Sequence, residues 1–167
     1  MQSISTGVPA VAVGAPGDYL TRPGFWHGAI GVAACWYGAA CGVAGPLHRR
    51  VRDGRADEHS VAHLGAVSAA LLAAREALRH AAERIDADPL DREGLARLHA
   101  RGTRAVVEDA ATAVLARVGR ALGAGPLCND NAHARRVADL TVYLRQSHAE
   151  SDLADLGRDV ARRAQPW

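Results

Sequence analysis

FWHGAIGVAACWYGAACGVAGPL, residues Phe25 to Leu47, runs for 23 residues without a formal charge. A stretch that long has to leave water, either in a bilayer or at the centre of a helical protein. Its length suits a membrane span, for which about 20 residues suffice. Its composition does not. Strongly apolar aliphatic or Phe side chains are confined to Phe25, Ile30, Val32, Val43 and Leu47, and Trp36 and Tyr37 fall mid-segment rather than at an interface. Gly28, Gly31, Gly38, Gly42 and Gly45 instead suit a helix that lets neighbouring backbones come close. The stretch reads as the buried central helix of a soluble protein, with no membrane partner.

The rest of the composition agrees with a helical core. A chain of 167 residues fits one domain and buries about two-thirds of its unfolded surface. It is 49% hydrophobic but only 4% aromatic, so the core has to be aliphatic and Ala-rich, which favours close helix packing over a β-sandwich. A net charge of +2, with both signs interspersed, projects no field toward nucleic acid. All 20 basic residues are Arg, which is read as codon usage rather than as a phosphate-binding device. Cys35, Cys41 and Cys128 form no ligand pattern and read as reduced thiols. The opening MQSISTGVPAVAVG has neither a basic n-region nor a sufficient apolar run for a signal peptide, so a cytoplasmic location is expected.

Along the chain, Val8 to Val13 alternate weakly between Gly7 and Gly14 and suggest an extended strand or tail, and Pro16-Gly17 and Pro23-Gly24 punctuate the entry to the first helix. Pro46 is expected to perturb the end of that helix. A second helix carries Leu64, Val67, Leu71, Ala74, Leu78, Ala81 and Ile85 three and four apart, with Asp57 or Ser60 as its cap. Asp88-Pro89 reads as the N-cap and first position of a third helix. Its apolar row is Val107, Ala111, Val114, Val118 and Ala121, and Arg97, Arg101, Arg104 and Glu108 are expected to form a solvated face. Leu122 to Leu127 ends it. A fourth helix starts near Asp130 with Val137, Leu140 and Leu144, and continues or breaks before Leu153, Leu156 and Val160. The expectation is an all-α fold: an antiparallel four-helix bundle over residues 21–167, preceded by an extended tail over residues 1–20.

Thr21-Arg-Pro-Gly-Phe-Trp-His-Gly-Ala-Ile-Gly-Val-Ala33 resembles the opening of the C-terminal helical domain of the acyl-CoA dehydrogenase family. Leu64-Gly-Ala-Val67 falls where that family has Leu-Ala-Glu-Met, and Ala74-Arg75 matches its Ala-Arg. Arg120-Ala-Leu-Gly-Ala-Gly125 resembles the family's Gln-x-x-Gly-Gly loop, and Arg135 to Asp139 its basic stretch ending in Arg-Asp. The resemblance covers residues 8–160. It implies a flavoprotein that removes hydrogens from the Cα–Cβ bond of an acyl thioester such as acyl-CoA: a Glu takes the α-proton and FAD accepts the β-hydride. It also implies homo-oligomers of the helical domain, and an N-terminal helical domain and a middle β-domain that this chain lacks. The chain resembles the last third of such an enzyme, as a truncated frame or as a subunit whose partner carries the other domains.

The departures bear on mechanism. The family's two alternative Glu positions hold Thr21 and Ser147, and neither serves as a general base near neutral pH without another group to activate it. His148, with an ordinary pKa of about 6.5, and Glu150 are the nearest replacements. By the resemblance, Arg49 and Arg50 stand just beyond the position of an Arg that meets the FAD pyrophosphate of a neighbouring subunit, where strict register puts Leu47. Glu58 takes a Gln position, Arg120 takes the Gln of the glycine loop, and Gly123 keeps its first Gly. Arg22 keeps the family's Arg beside the substrate site. Read without the resemblance, Gly123 followed by Pro126 is an ordinary helix end, Arg49-Arg50 is a common helix-end charge pair, and His148 is a partly exposed helix residue. His59 and His63 share a helical face, but no further ligand pair joins them and no metal site is expected. Two other readings stay open: a flavin monooxygenase of the same fold, and a non-catalytic helical dimerisation module.

Overall fold

The computed structural model describes Gly7, Pro9 and residues 11–164. Among them every regular element is helical. In order these are α1 (Asp18–Thr21), α2 (Pro23–Arg52), α3 (Glu58–Ala87), α4 (Ala96–Leu122), α5 (Gly125–Asn129), α6 (Asn131–Tyr143), a 3-10 turn (Leu144–Gln146) and α7 (Glu150–Ala161). The all-α class is as expected. Residues 11–13 have no regular structure, whereas Asp18–Thr21 form a helical turn, so the extended tail does not reach residue 20. Val8 and Ala10, also assigned to that tail, lie outside the described residues.

Helix α2 begins where Pro23 dictates. Arg22 is extended (φ −65°, ψ 141°), the region to which a following proline restricts its neighbour, and Pro23 opens the helix where no amide donor is needed. The helix then passes through Pro46 and ends only at Arg52, so the expected perturbation does not end it. A proline inside a helix removes one backbone bond and costs about 3 kcal/mol. Fully buried Leu47 and partly buried Val51 hold the continuation against the core.

That core is a dry contact of three long helices. Ala33, Trp36, Ala40, Val43 and Leu47 of α2 meet Val67 and Ala74 of α3 and Val107, Ala111, Val114 and Val118 of α4, with Leu140 and Leu144 closing it. The small residues among them let the helices approach closely, and each Val or Leu sealed this way contributes about 1.5–3 kcal/mol. A smaller cluster of Ile30, Ala81 and Ala100 extends toward Trp26.

The charge-free stretch is not hidden all round. Seven residues between Ile30 and Leu47 are buried, but Gly28, Gly31, Cys35 and Gly38 are exposed along one face. Helices α2 and α3 are both long and apolar enough to cross a membrane, with mean hydropathies of 1.4 and 1.3 over windows that are 39% and 11% buried.

One junction differs from the sequence expectation. Asp57 does cap α3, accepting the Ser60 N–H at 2.8 Å, and the Ser60 side chain together with this N–H holds its carboxyl below the usual range. Asp88-Pro89, however, does not open α4. The Asp88 carboxylate takes the Glu93 N–H (3.0 Å) and turns the chain, while Asp91 accepts the N–H groups of Leu95 and Ala96 (2.7 and 2.8 Å) where α4 starts. The later helix begins as expected, with Asp130 capping through the His133 N–H at 3.0 Å, and it breaks at 144–149 before α7.

Candidate functional site

Of the row Arg97, Arg101, Arg104 and Glu108 on α4, expected as a solvated face, Arg97 is exposed and the other three are partly buried. Spaced four, three and four apart, the row points at two other elements. Asp155 and Asp159 lie four apart on α7 and meet Arg101 in a fork, with Nη1 to Asp159 at 2.9 Å and Nη2 to Asp155. Arg97 joins Asp159 at 2.8 Å. The Arg101 and Asp159 side chains keep only 14% and 10% of their exposure, so this ion pair is largely desolvated and docks α7 on α4. Arg104 stacks on Trp36, 4.6 Å from the ring centroid, and donates to the Ala29 carbonyl at 3.1 Å. Burial lowers its pKa, yet a guanidinium stays charged. Glu108 accepts the Ser147 hydroxyl at 2.5 Å.

These contacts leave a cleft of about 590 Å³ between the start of α2, the middle of α4 and residues 146–153. One wall is aromatic. Tyr19 and Phe25 stand edge to face at 5.6 Å, Phe25 and Trp26 at 5.1 Å, and the Arg22 guanidinium lies 4.2 Å from the Tyr19 ring centroid. Gly24 and Gly28 also line it, and a Cβ at either would meet nothing within 4 Å. The rest of the lining is largely polar: Arg101, which lies 5.4 Å from the Trp26 ring centroid, Arg104, Glu108, Ser147, His148 and Asp152. Beside Ser147, whose Oγ accepts the Ala149 N–H at 3.2 Å, Ala149 has φ 46° and ψ −116°. A side chain is seldom found there, and such strain persists only where its surroundings impose it. An apolar wall facing clustered polar groups is what a small-molecule site requires.

The residues singled out from the sequence divide between two ends of the molecule. Arg22 lines the cleft. His148 stands at its rim with its side chain 80% exposed, its N–H bonded to Asp152 at 3.1 Å and its Nδ1 3.6 Å from the same carboxylate. Glu150 is exposed in the first turn of α7 and is not among the lining residues. At the far end of α2, Arg50 and Arg55 border an open groove of about 560 Å³ beside Pro126 and Asn129. Arg50 donates to the Arg55 carbonyl at 3.2 Å. Arg49, Arg120 and Gly123 are exposed outside that groove, and Gly123 caps α4 with φ 68°. On α2 the cleft lining reaches Val32 and the groove lining begins at Pro46, 14 residues further on, which at about 1.5 Å per residue separates the two by about 21 Å.

Reading the sequence missed Glu108, Arg101, Arg104 and Asp152 as site residues. The signal was present as a pair of complementary rows, arginines on one face of α4 and Asp152, Asp155 and Asp159 on one face of α7. Among the described residues, no group of three or more His, Cys, Asp or Glu side chains is arranged to hold a metal ion. No protein-family model, no curated protein and no solved structure matches this chain.

Proposed function

We propose that this chain is the C-terminal helical part of an acyl-CoA dehydrogenase-like, FAD-dependent oxidoreductase acting on the CH–CH bond of an acyl thioester. One observation carries the reading. Arg22 and Ser147, 125 residues apart, border the same cleft. In the resemblance the catalytic Glu sits either beside the first of these positions or at the second, and alternative positions for one base need to face one substrate.

In this reading α2, α3, α4 and α6 make an antiparallel four-helix bundle, which the short connections at 53–57, 88–95 and 123–130 favour. The aromatic wall receives the acyl chain, and Arg22 and Arg104 supply positive charge to the thioester oxygen. FAD, when bound, would take up the hydride from the β-carbon. In this reading the Arg50 groove meets the FAD of a neighbouring subunit, as the resemblance implies. The protein is then a homo-oligomer, or a subunit completed by domains on another chain, placed in the cytoplasm with no nucleic-acid or membrane partner. The exposed, charge-free face of Gly28, Gly31, Cys35 and Gly38 favours a second reading, a helical module that only dimerises.

Calorimetric titration with octanoyl-CoA separates the two. The substrate reading expects binding by the chain and a loss of at least about tenfold in affinity, or about 1.4 kcal/mol, in Gly28→Leu. The thermal midpoint of that variant should not fall, because nothing lies near the new side chain. Unchanged affinity in Gly28→Leu would contradict the site, and a dimer that binds no thioester would favour the module. The isolated chain is expected to show no acyl-CoA oxidation with an artificial electron acceptor, since in this reading its FAD site is completed only by a second copy or by domains on another chain.

A further inference from the structure

Helix α7 closes one side of the cleft without being built into the core. Its Asp152 and Leu153 line the cleft, as do Ser147, His148 and Ala149 in the segment that leads into it. Yet α7 buries no residue, and Leu153 is 53% exposed. Among the described residues, the hydrogen bonds that tie α7 to the body of the fold all come from two arginines of α4. Arg101 forks onto Asp155 and Asp159, and Arg97 meets Asp159 at 2.8 Å. Neither carboxylate would be left bare on release, because Asp155 keeps Arg158 at 2.6 Å and Asp159 keeps Arg162 at 3.3 Å on their own helix. The chain enters α7 through a bent joint. Ser147 is extended (φ −74°, ψ 138°), whereas Ala149 stands at φ 46° and ψ −116°, a region suited to glycine and strained for alanine.

We propose that α7 is a hinged lid on this cleft, latched by Arg97 and Arg101 on Asp155 and Asp159 and turning at Ser147 to Ala149. Closed, it supplies one side of the cleft and holds the Arg101 guanidinium 5.4 Å from the Trp26 ring centroid. Open, it uncovers the lining from Trp26 to Glu108, so that a ligand enters without disturbing the dry contact of α2, α3 and α4. Two opposed terms set the balance between these states. The ion pairs hold the lid down, and the strain at Ala149, carried only while the joint is bent, favours release. A lid needs such a balance, because an element sealed by buried apolar side chains would open only with the whole fold. The inference concerns access to the cleft and holds whichever small molecule occupies it.

The test is native-state hydrogen exchange on the full chain without ligand, read amide by amide by NMR. In the wild type the α7 amides should exchange at least about tenfold faster than the core-facing amides of α2 and α4, through an opening of α7 alone. Arg101→Ala should widen that gap, and Arg101→Lys should recover part of the loss. Ala149→Gly should act in the opposite direction, slowing exchange in α7 by about threefold or more, because it relieves a strain that only the closed state carries. A helix that is simply a fixed part of the fold predicts that α7 and the core exchange together, and that Ala149→Gly leaves the difference between them unchanged. Either result overturns the lid, as does faster exchange of α7 in Ala149→Gly. Access is read separately with the uncharged nitroxide TEMPOL. In Arg101→Ala it should broaden the Trp26 indole resonance about twofold more than in the wild type, while that of buried Trp36 stays as it was. Unchanged broadening at Trp26 in a variant whose α7 has opened would show that the helix does not guard the cleft. None of these readouts uses a thioester, so they stand or fall apart from the acyl-thioester reading.

Discussion

Helix α4 buries two faces made of opposite materials. On one, Val107, Ala111, Val114 and Val118 pack dry against α2 and α3. On the other, Arg101, Arg104 and Glu108 are partly covered by α7, by Trp36 and by Ser147, with Arg97 exposed at the end of the row. The first face needs only volume and apolar character, so many sequences can fill it. The second needs a partner for each cation, carboxylates for Arg97 and Arg101 and a ring and a carbonyl for Arg104, because a guanidinium taken from water without a partner costs several kcal/mol. The apolar face makes the fold, and the polar face shapes the cleft.

The contrast breaks most visibly in the dry face. Trp36 is fully buried in the core, and Trp36→Ala is expected to cost about 3–5 kcal/mol in urea denaturation, the range for deleting a buried aromatic side chain. A loss below about 1 kcal/mol would mean that the three-helix contact is not the main source of stability.

The polar face gives a smaller and more local effect. Arg101→Ala leaves Asp155 only Arg158 and Asp159 only Arg97 and Arg162, removes the least exposed cation of the cluster, and should cost about 2 kcal/mol, in line with hydrogen bonds to charged groups. In hydrogen exchange the α7 amides should lose protection while those of α2 and α4 facing the core keep theirs. If the row were solvated, the same change would cost under about 0.5 kcal/mol and leave α7 untouched.

A weaker effect comes from His99, which stands edge to face with His80 at 6.4 Å, close to the Arg84–Glu93 ion pair. Burial, and then the charges of Arg84, His80 and Arg163, lower its pKa below the ordinary value near 6.5. A histidine depressed in the folded state is protonated more readily in the unfolded chain, so stability is complete above about pH 6.5 and falls as the pH drops through that value. Thermal midpoints between pH 7.5 and 5.5 should show that decline, and His99→Leu should flatten it.

How far the sequence reveals each region follows from the same contrast. Apolar rows at helical spacing are self-contained signals, which is why the α3 and α4 rows, the Asp57 cap and the Asp130 start are readable. Pro46 and Asp88-Pro89 are local rules overridden from outside: burial of Leu47 keeps α2 going, and Asp88 spends its carboxylate on the Glu93 amide. The charged row of α4 carries no local sign of burial, because its meaning depends on α7, some fifty residues later. Glu108 is the clearest case. By spacing it is one more solvent-facing carboxylate, and only Ser147 arriving from the far end of the chain makes it part of a site.

Two indole groups report the difference between these regions directly, since Trp26 lines the cleft and Trp36 is sealed in the core beneath Arg104. In a titration of the labelled chain with octanoyl-CoA followed by NMR, the Trp26 Nε1–H resonance should move strongly and saturably, and that of Trp36 much less. A saturable shift confined to groups beside the Arg50 groove, or no shift at Trp26 under conditions where calorimetry detects binding, would contradict the assignment of the cleft as the acyl-thioester site.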